Sequence, residues 1–131
     1  MPDRIILAST SQIRSKLLDG AGVSHDVVAS RIDEDSVKKA LEAEGAPPRD
    51  IADTLAEMKA RKIAEKGQGG LVIGCDQVLS LKGEVLSKPK TIEDARGQLN
   101  ALRGETHQLL SAAVIYEDLK PVWRHVGVAR L

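Results

Sequence analysis

Two short, wholly apolar runs constrain the fold of this chain, because each passes directly into a polar turn. Ile5–Ala8 is followed by Ser9–Ser11. Leu71–Ile73 is followed by Gly74–Gln77, which includes a carboxylate. Short apolar runs without polar alternation are typical of strands buried on both faces of a sheet. The pattern therefore predicts a sheet whose strands present polar side chains at their ends.

Helical and extended patterns alternate through the first two thirds of the chain, and extended patterns dominate the end. The spacing of apolar and turn-forming residues predicts strands at 5–8, 25–30, 71–73, 78–81, 84–86, 107–116 and 122–131, with helices at 12–19, 37–44, 51–66 and 92–102. Alternation followed by a meander predicts an α/β domain over residues 1–131, with a mixed central sheet and flanking helices.

Composition excludes several classes of protein. Lys+Arg and Asp+Glu are both 19, so the chain lacks the positive excess typical of proteins that bind nucleic acid polymers. The single cysteine, Cys75, excludes an intrachain disulfide. No segment approaches the roughly 20 apolar residues that span a bilayer, so we expect no membrane partner and a cytoplasmic location.

The polar turns carry the residue types that phosphoryl transfer needs. Ser9 lies before a predicted helix, whose N-terminus favours anions, and Arg14 lies one turn into that helix. Asp76 ends an apolar strand, where α/β sheets usually bind ligands. Carboxylates that hold a divalent metal and cations that neutralise phosphate oxygens are the required set.

Taken one at a time, these residues also have structural interpretations. Ser9 is equally typical of a plain helix cap, and the acidic segment 33–35 of a solvated turn that caps a helix. Lys59 and Lys62 would ordinarily face solvent, and Lys88 could be a surface lysine. An unpaired carboxylate at a buried strand end is costly, so Asp76 is the strongest single candidate.

Five motifs in order resemble the Maf family of nucleotide pyrophosphatases. Residues 7–18 are similar to its Leu-Ala-Ser-x-Ser-Pro-x-Arg signature with a following Leu-Leu, and Ile32–Glu34 resembles its acidic turn. The segment 56–60 is similar to its helical lysine segment, 72–78 to its Gly-Ser/Ala-Asp-Gln/Thr strand end, and 83–89 to its Gly-x-x-x-x-Lys-Pro turn. The resemblance spans nearly the whole chain.

This resemblance implies a Maf/ITPase-like fold and a metal-dependent enzyme that cleaves a nucleoside triphosphate into a monophosphate and pyrophosphate. It implies catalytic roles for Asp76, Glu34, Lys59 and Lys88, and substrate-binding roles for Ser9, Arg14 and Gln77. Of these, Glu34 and Asp76 would hold Mg²⁺ or Mn²⁺, and Asp76 would be the general base. Arg14, Lys59 and Lys88 would bind the triphosphate. The resemblance also suggests that the protein forms a homodimer.

The chain departs from the family pattern at three places. Gln12 replaces the proline of the first signature, and Ile13 stands where many members carry a second arginine. Gln77 and the non-arginine at Ile13 resemble the branch that acts on 7-methyl-GTP, with the branch that acts on dTTP and UTP as the alternative. Members of the family continue past Leu131, so we expect an incomplete C-terminal lobe. A non-catalytic nucleotide-binding regulator, linked to septum formation, is the competing function.

Overall fold

A six-stranded mixed sheet forms the centre of the fold in a computed structural model that describes residues 4–131. Residues 1–3 of the predicted domain lie outside the described residues. The strands are β1 (Ile5–Ala8), β2 (Asp26–Val28), β3 (Leu71–Leu81), β4 (Glu84–Leu86), β5 (Gln108–Glu117) and β6 (Lys120–Arg130). Their order is β2-β1-β3-β5-β6, and β4 pairs with β3 off this path. The predicted mixed sheet is confirmed.

The sheet is parallel on one side and antiparallel on the other. β1 pairs in parallel with β2 and with β3, whereas β3, β5 and β6 form an antiparallel meander. β5 occupies one edge of β3 from Leu71 to Ser80. The opposite edge of β3 is therefore shared by β1, which pairs as far as Gly74, and by β4, which pairs from Leu79.

Within residues 4–131, four helices flank the sheet: α1 (Gln12–Gly20), α2 (Glu34–Ala43), α3 (Pro48–Ala64) and α4 (Ile92–Leu102). Three of them begin at a side-chain cap, in which the cap oxygen accepts a hydrogen bond from the backbone N–H three residues later. The capping residues are Ser11, Asp33 and Thr91. Such caps satisfy backbone donors that a helix leaves unpaired and stabilise it by about 1 kcal/mol each.

Helix α3 covers one face of the sheet and supplies more of the core than any other element. Its buried residues are Ile51, Ala52, Leu55, Ala56, Lys59, Ala60, Ile63 and Ala64. Gly74 allows α3 to approach β3 closely, because a Cβ atom there would lie 2.1 Å from the carbonyl oxygen of Ala56. Asp76 was expected at a strand end but lies in the middle of β3, and the register of this contact decides which α3 side chains reach it.

The structure corrects several predicted boundaries and one helix face. β3 is a single strand through Gly74, because the glycine packs under α3 and does not break the strand. α3 begins at Pro48, which is favoured in a first helical turn. Of the two lysines of α3 that would ordinarily face solvent, Lys62 is exposed, but Lys59 is buried. None of the helices described between residues 4 and 131 is long and apolar enough to cross a membrane.

Candidate active site

A gap opens along one edge of β3, between the end of β1 and the start of its pairing with β4. Residues 75–78 span this gap. The chain leaves β1 for β2 on one side and later returns to β3 on the other, so the gap lies where the direction of strand order reverses. In open α/β sheets the carboxyl ends of strands at such a point form the ligand crevice.

Lys59 is the centre of a cluster in this gap. Its Nζ forms an ion pair with Glu34 Oε1 at 2.6 Å, and it donates to Asp76 Oδ1 at 3.0 Å and to the backbone carbonyl of Cys75 at 3.3 Å. Lys59 and Asp76 are only 7% and 6% exposed, whereas Glu34 is half-buried. The ammonium therefore joins one carboxylate from α2 and one from β3.

The positive charge of Lys59 partly compensates the two neighbouring carboxylates of Glu34 and Asp76. One ammonium between them reduces their repulsion, and its third contact uses a backbone carbonyl. Removing one partner from a buried ion pair typically costs about 3–5 kcal/mol, because the remaining charge is left in a medium that solvates it poorly. Lys59 therefore contributes to the stability of this part of the fold.

The two carboxyl groups are shifted in opposite directions. Burial raises the pKa of Asp76 above its usual value, and the opposing charge and hydrogen bond of Lys59 do not fully offset that effect. Burial also acts to raise the pKa of Glu34, but the hydrogen bond and charge of Lys59, aided by Lys38 and Lys88, lower it overall. Asp76 is thus the more basic carboxylate of the two.

Arg14 reaches the same cluster from α1. Its Nη1 donates to the carbonyl oxygen of Cys75 at 3.2 Å and to Ser9 Oγ at 3.4 Å. Ser9 is buried, and its Oγ also accepts a hydrogen bond from the backbone N–H of Ser11 at 3.0 Å. The guanidinium of Arg14 and the ammonium of Lys59 therefore meet at one carbonyl oxygen, one cation from each of two different helices.

Lys88 and Gln77 are less closely tied to the cluster. Lys88 is exposed on the segment after β4, and its charge contributes to the lowered pKa of Glu34. Gln77 follows Asp76 in the strand and so points to the opposite face of the sheet. There its Nε2 donates to Ser111 Oγ at 2.9 Å. The structure thus joins Ser9, Arg14, Glu34, Lys59 and Asp76 by direct contacts, and places Gln77 on another face.

The carboxylates suit a hard divalent cation. Asp76 Oδ2 is buried and has no hydrogen-bond partner, so one oxygen remains unsatisfied beside Glu34. Carboxylate oxygens are preferred ligands of Mg²⁺, which commonly uses one or two carboxylates together with waters and phosphate oxygens. Residues 4–131 contain no cluster of three or more His, Cys, Asp or Glu side chains that could hold a metal by themselves. The residues present fit a cation shared with a phosphate ligand.

Sequence reasoning missed three contributors to the site. The backbone carbonyl of Cys75 accepts from both cations, a role that no side-chain pattern reveals. Ser30 is buried, and its hydroxyl donates to the carbonyl of Ala8 at 3.1 Å, which joins the ends of β1 and β2 beside Ser9. Lys38 is half-buried on α2, and its spacing of four residues from Glu34 was the available signal.

Solved structures of other proteins share this fold. The Ham1 protein of Staphylococcus aureus superposes with a TM-score of 0.55 at 16% identity, over 97% of this chain and 70% of that one. A structure from Mycobacterium abscessus, described as a nucleoside-triphosphatase or dITP/XTP pyrophosphatase, gives a TM-score of 0.53 at 15% identity, over 97% of this chain and 71% of that one. At these identities the likeness shows the fold alone.

Sequence comparison is more specific. A nucleoside triphosphate pyrophosphatase of Roseobacter denitrificans is 65% identical over all 131 residues, and a 7-methyl-GTP pyrophosphatase of Brucella abortus is 47% identical. The chain spans 66% of the length of each of these relatives. The family described as Maf-like protein matches residues 4–131. From this match and these identities, the chain belongs to the Maf-like protein family.

Proposed function

We propose that this protein hydrolyses a nucleoside triphosphate to a nucleoside monophosphate and pyrophosphate. The observation that carries the proposal is the Lys59-bridged pair of Glu34 and Asp76, with Arg14 bonded to the same Cys75 carbonyl as Lys59. Phosphoryl transfer depends mainly on positioning and on electrostatic stabilisation of phosphate charge. The buried Lys59 and the half-buried Arg14, next to two carboxylates, supply both the positioning and the electrostatic stabilisation.

The cations have separate tasks in this proposal. Arg14 exchanges its hydrogen bond to the Cys75 carbonyl for one to a phosphate oxygen, while Ser9 keeps the guanidinium in place. A guanidinium presents several N–H donors in a fixed plane, which suits a phosphate group. Lys59 contacts the phosphate from the α3 side, and exposed Lys88 binds the outer part of the triphosphate.

Asp76 acts as the general base. Its carboxylate takes a proton from a water molecule, whose oxygen then bonds to the α-phosphorus. The bond between that phosphorus and the bridging oxygen breaks, and pyrophosphate leaves with the electron pair. Burial raises the pKa of Asp76, which makes its carboxylate a stronger base than an exposed aspartate.

Glu34 and Asp76 are the residues that would hold Mg²⁺ or Mn²⁺, since Asp76 Oδ2 is buried without a partner and Glu34 Oε1 lies at the same ammonium. A bound divalent cation supplies charge neutralisation at the phosphate oxygens and lowers the pKa of water. Without it, two carboxylates would repel a polyphosphate.

Within this activity we propose 7-methyl-GTP as the preferred substrate, with dTTP and UTP as the alternative. Relatives from Brucella abortus and Mesorhizobium japonicum, 47% and 48% identical, carry the name 7-methyl-GTP pyrophosphatase. In this chain the position of α1 where a second arginine could stand is occupied by Ile13, which is 72% exposed. A cytoplasmic location and a homodimer complete the proposal.

The test is product analysis with the purified protein. A panel of 7-methyl-GTP, GTP, dTTP and UTP is incubated with Mg²⁺ or Mn²⁺, and monophosphate and pyrophosphate are quantified. We expect equal amounts of the two products, with 7-methyl-GTP turned over fastest. Release of orthophosphate and a nucleoside diphosphate would contradict the reaction. Tight nucleotide binding without turnover would instead favour a non-catalytic, nucleotide-binding regulator.

A further inference from the structure

The inward side of α2 carries a lysine that the Maf signatures do not include. The half-buried residues of this helix are Glu34, Val37, Lys38 and Leu41, and the remaining residues of α2 are exposed. This spacing of three and four residues defines one face of a helix. Val37 and Leu41 pack against the core, so Lys38 lies on the stripe that faces the rest of the domain.

A half-buried lysine on such a stripe packs its hydrocarbon stem against the domain and keeps its ammonium in reach of solvent or of an anion. Lys38 forms no salt bridge with the residues that the structure describes. It follows Glu34 by one helical turn on the same face. Its charge also acts on Asp76, where it assists Lys59 in opposing the effect of burial on the pKa.

The charges of the site residues and of a bound triphosphate indicate what a further lysine would add. Glu34, Asp76 and Lys59 together carry one net negative charge, since one ammonium bridges two carboxylates. An incoming triphosphate adds several more negative charges. Arg14 is one direct source of compensation, and exposed Ile13 stands where a second cation would be adjacent to it. Exposed Lys88 and a bound divalent cation would offset part of the remaining charge. One more cation on a neighbouring element would bring the balance closer to neutral and strengthen binding.

We propose that Lys38 is a substrate-binding residue that contacts the triphosphate of the nucleotide from α2. The inference rests on the proposed function, and it adds a cation from an element other than α1, α3 or the segment after β4. The free ammonium, its place on the inward stripe and its proximity in sequence to Glu34 carry it. Phosphate binding would give the Lys38 ammonium the anionic partner that none of the described residues supplies.

The test compares Lys38→Met with Lys39→Met. Lys39 is the next residue, is exposed, and acts on the exposed cap Asp33. Inorganic tripolyphosphate is titrated into each protein by calorimetry, and KM and kcat are measured for the best substrate of the panel. We expect Lys38→Met to weaken tripolyphosphate binding by about tenfold or more and to raise KM with little change in kcat. Lys38→Arg should restore most of the affinity, and Lys39→Met should match the wild type.

The outcomes separate this inference from the function on which it rests. Wild-type binding of tripolyphosphate with equal affinities for Lys38→Met and Lys39→Met would overturn the role of Lys38 and leave the proposed reaction standing. A wild-type protein that neither binds tripolyphosphate nor cleaves any nucleotide would overturn both. Should Lys38→Met fail to fold, Lys38→Gln gives the same comparison with a polar side chain. Circular dichroism and the melting temperature identify a folding defect.

Discussion

Lys59 shows how the position of a single residue can be misjudged from its residue type. A lysine on a long amphipathic helix usually faces solvent, as Lys62 does, yet Lys59 is 7% exposed and holds two carboxylates. Periodicity places it correctly, one turn after Leu55 and one turn before Ile63, both of which are in the core. The carboxylates that justify its burial come from β3 and α2, which are distant in sequence, so the helix alone cannot reveal them.

Replacement of Asp76 by asparagine should separate catalysis from folding. The amide side chain of Asp76→Asn would keep an oxygen for Lys59 but could not accept a proton from water, so we expect the rate to fall by about 10²–10⁴. The chemical step is measured by single-turnover kinetics and the fold by thermal unfolding. Asp50→Asn, an exposed carboxylate in the first turn of α3, is the matched control and should retain wild-type activity. A normal chemical step with a large stability loss would make Asp76 structural.

The opposite pKa shifts of Asp76 and Glu34 predict opposite effects of pH on stability. The raised pKa of Asp76 means that its ionised form disfavours folding: this cost is absent below the unfolded-state pKa and complete above the folded-state pKa. The lowered pKa of Glu34 stabilises the fold above its unfolded-state pKa, and that contribution is lost as pH falls through the folded-state pKa.

Melting curves over a pH series test this pair of signs in the protein without divalent metal. Relative to wild type, Asp76→Asn should gain melting temperature as pH rises from strongly acidic to neutral. Glu34→Gln should lose melting temperature over the same interval and converge with wild type at the acidic end. Parallel curves for both variants would show that neither carboxylate has a shifted pKa of the stated sign.

At the scale of elements, the contact between α3 and β3 controls the site. Gly74 is two residues before Asp76, and it lies directly beneath Ala56 and Ala60, one turn or less from Lys59. The lysine and the aspartate therefore meet because the helix can sit close to the strand. The same contact explains why a glycine appears within an otherwise continuous strand.

We expect Gly74→Ala to damage both stability and activity. The added Cβ would lie 2.1 Å from the Ala56 carbonyl oxygen and 2.6 Å from the Ala60 nitrogen, so the backbone of α3 must move. Overpacking of this kind costs about 1–3 kcal/mol, and it also shifts Lys59 relative to Asp76. Urea midpoints and turnover rates measure the two effects.

Gly97→Ala is the control for the same chemical change. Gly97 lies within α4, and a Cβ there meets no atom within 4 Å. Alanine is the better helix former by about 1 kcal/mol, so this variant should be slightly more stable than wild type and equally active. If Gly74→Ala behaved like Gly97→Ala, the close approach of α3 to β3 would not control the site.

How far the sequence predicts this molecule differs between elements and contacts. The apolar runs predict β1 and the start of β3, and the spacing of apolar residues predicts α4 over 92–102, because those signals are local. The family motifs select residues such as Ser9, Arg14 and Asp76, which the structure brings together. The motifs do not predict on which face of the sheet Gln77 lies, because that depends on strand register. They do not predict the inward position of Lys38 either, because that depends on helix packing.

At the scale of the whole molecule, the crevice is assembled from separate parts of the sequence. Arg14 comes from the helix after β1, Glu34 from the start of α2, Lys59 from α3 and Asp76 from β3. Long-range contacts of this kind form only when the sheet order is complete, so binding at the crevice and global folding are thermodynamically linked. A ligand held by both Glu34 and Asp76 should therefore stabilise the entire chain.

This linkage gives a prediction about divalent metal that does not require turnover. Mg²⁺ or Mn²⁺ at about one hundred times its dissociation constant should stabilise the wild type by roughly 2.7 kcal/mol. For a domain of this size that corresponds to a rise of about 10 °C in melting temperature. Excess chelator should reverse the rise.

Asp76→Asn loses one carboxylate ligand, the one whose Oδ2 is buried without a partner, so its melting temperature should respond much less to metal. Asp50→Asn should respond as the wild type does, because its exposed carboxylate is in the first turn of α3. An equal metal-induced rise in Asp76→Asn and wild type would place the metal elsewhere on the molecule, and it would remove Asp76 from the proposed ligand set.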